Sequence, residues 1–347
     1  MTSIAHNFRE QAGLGLFFII ASVLLVVVIA AGTGIGEMSI PLATTFAAVT
    51  NRLGWTAADL PRIQESVIWD YRLSRAMVAA CCGAGLALSG AVLQSLLRNA
   101  LAEPYVLGIS AGASTGAVAI IVLGVGAGTI SLSVGAFAGA FAAFVFVALL
   151  SQGASGGAGK TILAGVAASQ LFNALTSYIV TTSGNAQQAR DVMFWLLGSF
   201  GGVRWPEFYL VLTVVAICFV VCLYFAQALD AFAFGDDAAA SLGIPVGAVR
   251  IALFGITALM TATIVSMVGS IGFVGLVVPH AARFIVGPLH ARLLPTCIVT
   301  GAIFMVLADI ASRVVMSQQV LPIGVVTALV GVPCFAVILY RSKGGTA

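Results

Sequence analysis

The chain has 347 residues, of which 61% are hydrophobic and only 8% charged, with a formal net charge of +3. A water-soluble domain dresses its surface with about 25% charged residues. This composition therefore excludes a soluble globular protein and requires a surface that faces lipid. The small positive charge gives no electrostatic ground for a nucleic-acid partner.

In chain order, Met1 to Gln11 is a short segment with Arg9 and Glu10, and an uncharged apolar run from Leu14 to Ala31 follows. That run can cross ~30 Å of hydrocarbon. It is too long for a signal-peptide core and no A-x-A site follows, so it reads as a retained first span. Similar runs recur to the C-terminus. In lipid every backbone N–H and C=O must be bonded internally, which leaves helices or a closed barrel. Barrel strands would alternate apolar and polar residues over ~10 positions. These runs are apolar on all sides, so they are helices. Ten are predicted, near 14–34, 71–97, 104–123, 130–151, 160–183, 206–228, 247–271, 273–287, 293–316 and 323–341. No linker or soluble module interrupts them, so residues 1–347 read as a single all-α membrane bundle.

Three polar stretches connect the spans: Gly36 to Asp70, Ser183 to Pro206, and Asp230 to Pro245. Lys and Arg favour the cytoplasmic loops of such proteins. With the N-terminus inside, the inner set is Arg9, Arg98, Lys160, Arg250, Arg283, Arg292, Arg341 and Lys343. The outer set is Arg52, Arg62, Arg72, Arg75, Arg190, Arg204 and Arg313. The near balance means that arginines are held outside against the usual bias, as a surface docking an acidic partner would require. Small-xxx-small steps at Gly112/Gly116 and Gly135/Gly139, with Gly83, Gly85 and Gly90, predict closely packed helices.

Four constellations stand out. Arg72 and Arg75, three apart at a helix start, can face one way. Arg presents a rigid fork suited to carboxylates, but ordinary interfacial anchoring with Asp70 as local partner is the alternative. Asp309 and Arg313 are four apart on one helix face and can pair inside the membrane. Such a pair is either functional or a structural ion pair. Gly235-Asp236-Asp237 reads as the start of a short helix with Asp at or near its cap, ended by Leu242-Gly243. It suits contact with a cytoplasmic partner, or it is a plain connection. Gly153 to Thr161 imitates a phosphate-binding loop, but Ala154 occupies the position of the required first glycine and no strand precedes it.

His6, His280 and His290 show no metal-ligand spacing, and His280 after Pro279 could cap a broken helix. Cys81, Cys82, Cys218, Cys222, Cys297 and Cys334 lie in apolar segments and read as small buried hydrophobes. No nucleophile–base arrangement is present, so no enzyme is expected.

Leu88-Ser89-Gly90-Ala91-Val92-Leu93-Gln94, Arg98-Asn99-Ala100-Leu101-Ala102-Glu103-Pro104 and Leu107-Gly108-Ile109-Ser110-Ala111-Gly112-Ala113 resemble the FecCD family of ABC importer permeases. So do Phe194 to Ser199, Gly272 to His280 with Arg283, Leu293-Leu294-Pro295, Ala308-Asp309 and Leu321 to Thr327. The resemblance runs from about Tyr71 to Arg341.

It implies a ten-helix permease of the cobalamin/iron-chelate type in the bacterial inner membrane. It also implies a homodimer, two separate ATP-hydrolysing subunits that hold ATP and Mg, and a periplasmic binding protein. The chain itself would hold no cofactor or metal. The expected cargo is an iron chelate, a siderophore or haem, with cobalamin as the alternative and an ion-coupled secondary transporter as a more distant one.

The resemblance assigns binding-protein docking to Arg72, Arg75 and Arg313. It assigns ATPase coupling to Gly235, Asp236, Asp237, Leu242 and Gly243, and gating to Asn99, Leu101, Ala158 and Gly159. Relatives often carry Pro where Ser74 stands and Asn-Pro-Leu where Asn99-Ala100-Leu101 stands. They also tend to carry a basic residue after the His of an Asp-His-Arg stretch that is altered here to Leu289-His290-Ala291-Arg292.

Overall fold

The computed structural model describes residues 2–36, 40–126, 130–151, 158–183, 185–316 and 319–342. They form α1 (Thr2–Gly34), α2 (Leu42–Arg52), α3 (Arg62–Ser66), α4 (Ser74–Leu96), α5 (Ile109–Leu123), α6 (Leu132–Ser151), α7 (Ala158–Ser183) and α8 (Ala186–Leu196). The later part forms α9 (Trp205–Tyr224), α10 (Ala226–Phe232), α11 (Asp236–Ser241), α12 (Val246–Val268), α13 (Val274–Val286), α14 (His290–Val314) and α15 (Ile323–Ser342). Among the described residues there is no strand. Seven helical stretches are long and apolar enough to cross a bilayer, and three shorter apolar helices, Ile109–Leu123, Val274–Val286 and Ile323–Val337, accompany them. Each of the ten predicted spans therefore meets a helix.

The boundaries differ where the backbone demands it. α1 reaches back to Thr2 because no proline or glycine interrupts the chain before Gly13. A π-helical lead-in, Val67–Leu73, precedes α4, so Arg72 and Arg75 straddle a change of helical pitch. Gly108, at φ +70°, splits the predicted 104–123 helix into a 3₁₀ turn (Pro104–Leu107) and α5. The predicted 206–228 helix stops at Tyr224, and α10 follows as a separate piece. The polar stretch 183–206 holds a helix that the hydropathy pattern did not reveal. α8 is started by a capping box in which Asn185 accepts from the Gln188 N–H (2.9 Å) and Gln188 Oε1 accepts from the Asn185 N–H (3.0 Å). The Asn-x-x-Gln spacing was its legible signal.

α4 is the centre of the bundle. It packs on α14, α13, α12, α9 and α1, and almost every side chain from Ser74 to Leu96 is buried. Two glycines make that density possible. A Cβ on Gly83 would strike the Gly301 carbonyl of α14, and one on Gly90 would strike the Gly275 carbonyl of α13. The two small-xxx-small steps of the sequence turn out to be partners: Gly112 lies on Gly139 and Gly116 on Gly135, zipping α5 to α6. Close backbone approach replaces the hydrophobic drive that helices lack in lipid.

Candidate functional site

Functional side chains gather at opposite ends of the bundle. At one end α1 finishes, α4 begins and α14 finishes. Here a pocket of about 360 Å³ is lined by Arg72, Arg75, Arg313, Tyr71, Ser199 and Gly201, among others. Asp309, fully buried, is clasped between two guanidiniums. Arg75 Nη2 lies 2.7 Å from Asp309 Oδ1, and its Nε donates to the same oxygen at 2.8 Å. Arg313 Nη2 lies 3.0 Å from Oδ2, as an ion pair without an aligned hydrogen bond. The i,i+4 pairing of Asp309 with Arg313 is therefore present, but Arg75 joins it from 234 residues away. Asp309, not Asp70, is the carboxylate that holds Arg75.

Arg313, with Arg72, also finishes α1. The last carbonyls of a helix have no intrahelical donor. Arg313 donates to the carbonyls of Gly32 (3.0 Å) and Ile35, and Arg72 donates to that of Gly34 (3.0 Å). Arg72 and Arg75 are only 5% and 6% exposed, so this is a built cluster and not a fringe of free surface charges. Three guanidiniums against one carboxylate leave it positive among the described residues. Beside it Arg204 stacks on Tyr71 (4.3 Å), and Trp69 packs on Trp205 (5.1 Å), an aromatic band suited to an interface.

At the other end lie the finish of α4, the starts of α12 and α14, and the short helices α10 and α11. Gly235 (φ +107°) and Gly243 (φ +81°) bound α11 in conformations that other residues avoid. The sequence placed Asp at or near the cap of this helix. The cap is Gly235 with Asp236 directly after it, as that reading allows, and the Asp236 side chain pairs with Arg250 of α12. Asp237 completes the first turn, and Leu242 is 72% exposed, open to a partner. α10 is buried through Leu229 and Phe232, and its Leu229 carbonyl accepts from Ser95 of α4 (2.8 Å).

The loop after α4 opens on Arg98, which takes the left-handed conformation (φ 45°) usual for glycine. Asn99 Oδ1 accepts from the Leu101 N–H (2.9 Å), forming a side-chain turn that leaves Leu101 46% exposed. Ala158 and Gly159 open α7, whereas the glycine-rich stretch 153–157 lies outside the described residues.

Between the two ends, three breaks in the helices meet. The Ser199 N–H donates to Val268 (2.8 Å), the Ile323 N–H to Gly198 (3.1 Å) and the Gly324 N–H to Leu197 (3.0 Å). Gly198 and Gly269 take positive φ, and a Cβ on Gly324 would meet the Leu197 carbonyl at 2.6 Å. Ser270 hydrogen-bonds both Tyr105 (2.7 Å) and Ser110 (2.8 Å). Glu103 accepts from the N–H of Phe273 (3.2 Å), itself left-handed at φ 69°. Burial pushes the Glu103 carboxyl up to about 7, against the lowering effect of that N–H. Sequence reasoning missed this seam, and only the polar residues beside Gly in an apolar background signalled it.

His280 does not cap a break. It follows Pro279 inside α13 and meets Phe284 edge-on. Cys218 and Cys222 are buried in α9, and among the described residues no His, Cys, Asp and Glu group could hold a metal.

A bundle of apolar spans with short helices at one end and a polar pocket at the other is the architecture of a polytopic membrane protein. The profile of the FecCD transport family matches residues 24–341, and the chain belongs to that family. It is a multi-pass inner-membrane protein. It is 39% identical over 281 residues to the cobalamin import system permease protein BtuC of Halobacterium salinarum, covering 81% of this chain and 75% of that one. It is 38% identical over 280 residues to the vitamin B12 import system permease protein BtuC of Salmonella paratyphi A, covering 80% and 85%. A solved inward-facing ABC transporter described as of metal-chelate type superposes with a TM-score of 0.82 at 30% identity, over 94% of this chain and 99% of that one.

Proposed function

We propose that the chain is the membrane-spanning subunit of an ATP-driven importer of cobalamin, in place of the iron chelate or haem first expected. The observation that carries the substrate is the naming of its relatives as cobalamin permeases at 38% and 39% identity. Two copies would enclose one path, with two ATP-hydrolysing subunits beneath and a soluble binding protein above. The cluster of Arg72, Arg75 and Arg313 supports docking of an acidic partner through its net positive charge, since its individual forks are already engaged. The exposed Leu242 and the α11 turn at Gly235, Asp236, Asp237 and Gly243 support contact with the ATPase. Asn99, Leu101, Ala158 and Gly159 are the proposed gate on that side. The clasp of Arg75 and Arg313 on Asp309 disfavours an ion-coupled transporter, which would need that carboxylate open to its coupling ion.

The experiment is ATP hydrolysis by the permease–ATPase complex in liposomes, with and without binding protein loaded with cobalamin, a ferric siderophore or haem. Stimulation by the cobalamin-loaded protein, lost in Arg72→Glu/Arg75→Glu, is expected. Stimulation by the siderophore or haem form alone would overturn the substrate.

A further inference from the structure

α14 begins without a cap of its own. Leu289 occupies the N-cap, and its side chain accepts no hydrogen bond. The acceptor comes from another helix. Asp230 of α10 takes the His290 N–H at 2.9 Å and pairs with His290 Nδ1 at 2.6 Å through the same oxygen. α10 is thus fastened to the first residue of α14, and through Ser95 and the Leu229 carbonyl (2.8 Å) to the last turn of α4. At the far end α4 and α14 are joined again by Arg75 and Asp309 (2.7 Å). Between these points the two backbones come close enough at Gly83 and Gly301 that neither position has room for a side chain. α14 has 25 residues, about 37 Å at 1.5 Å per residue. It runs unbroken from α10 to the arginine cluster.

We infer that Asp230 is a positioning residue for transport: it ties the coupling segment to α14, so that α4 and α14 move as one lever between the ATPase face and the docking face. Displacement of α10 then reaches Asp309 and Arg313 without passing through the gate loop. Docking at the arginine cluster acts back on ATP binding by the same connection, as linkage requires of binding free energies. This inference rests on the permease reading above.

The test separates a tie from a mere cap. In Asp230→Ala both contacts to His290 are lost. In Asp230→Ala/Leu289→Asp a cap is restored from within α14, but the tie to α10 is not. Each is reconstituted with its ATPase and cobalamin-loaded binding protein, and thermal stability, ATP turnover and cobalamin uptake are measured. The single variant is expected to lose stimulation by about tenfold, a usual size for coupling between sites. The double variant is expected to recover stability and remain unstimulated. Wild-type stimulation in either variant would overturn the inference and leave Asp230 as a cap alone. If Asp230→Ala does not assemble, Asp230→Ala/Leu289→Asp, which restores a cap and still lacks the tie, carries the test alone, with the same two outcomes. If the wild type itself is not stimulated, the permease reading fails first and the inference with it.

Discussion

Two helix pairs in this bundle are joined by opposite means. α5 and α6 are zipped along their length by Gly112, Gly116, Gly135 and Gly139, with no charge between them. α4 and α14 pack closely too, around Gly83 and Gly301, but are in addition pinned at their ends by charged and polar groups, directly through Arg75 and Asp309 and by way of α10. The zipped pair gains only packing, which is short-ranged and indifferent to what happens elsewhere. The pinned pair places buried ions whose loss is felt at a distance. Small residues hold this protein together, and the sparse charges decide which helices act in concert.

The sharpest way to break that contrast is Asp309→Ala, which strands two guanidiniums in a buried site. A loss of about 3–5 kcal/mol is expected, as for a broken buried pair. It would be read as thermal unfolding of the purified permease. Replacing Arg75 and Asp309 together with Met should cost less than the sum of the two single changes, because the partners fail as a unit, although Arg313 still loses its carboxylate. Similar losses for the double and the summed single changes would show that no clasp exists.

On the zipped side, Gly116→Ala pushes a methyl group into the Gly135 carbonyl. About 1–3 kcal/mol of destabilisation is expected from the overpacking, with ATPase stimulation retained in the folded fraction. Loss of stimulation without loss of stability would make α5–α6 part of the lever.

A pH-dependent effect is expected at the loop before α5, which Glu103 fixes to Phe273. A carboxyl whose folded value is raised from 4.5 to about 7 is favoured in its protonated form by the fold. Its contribution is complete below the unfolded value and is lost as pH rises through about 7. Stability should therefore slope downward between those limits, and Glu103→Gln should flatten the slope. An unchanged slope in the variant would assign the titration to another group.

Hydropathy alone marked all ten spans, because lipid forces a long, unbroken apolar signal. It also marked the α11 turn through Gly235 and Gly243. What it could not mark was anything set by encounter between distant segments. Asp309 was visible as a partner for Arg313, four residues away, but not for Arg75. The glycine steps were visible on each helix, but not that they face one another. Arg72, Arg75 and Arg313 were legible as a charged set, yet the service of Arg72 and Arg313 to the end of α1 depends on carbonyls that carry no residue signature. α8 hid behind its polar composition, although its capping box was written in Asn185 and Gln188.

The end of α1 also bears on how the chain is made. Its last carbonyls are satisfied by Arg72 and by Arg313, the latter 281 residues beyond Gly32. During synthesis the Gly34 carbonyl can be met as soon as Arg72 is made, but that of Gly32 must wait, hydrated or provisionally bonded, until nearly the whole polypeptide has left the ribosome. Arg75 waits equally long for Asp309. A chain truncated before α14 would carry unpaired cations and an unfinished helix at the membrane surface. That is a mark by which a membrane protease could tell an incomplete permease from a finished one.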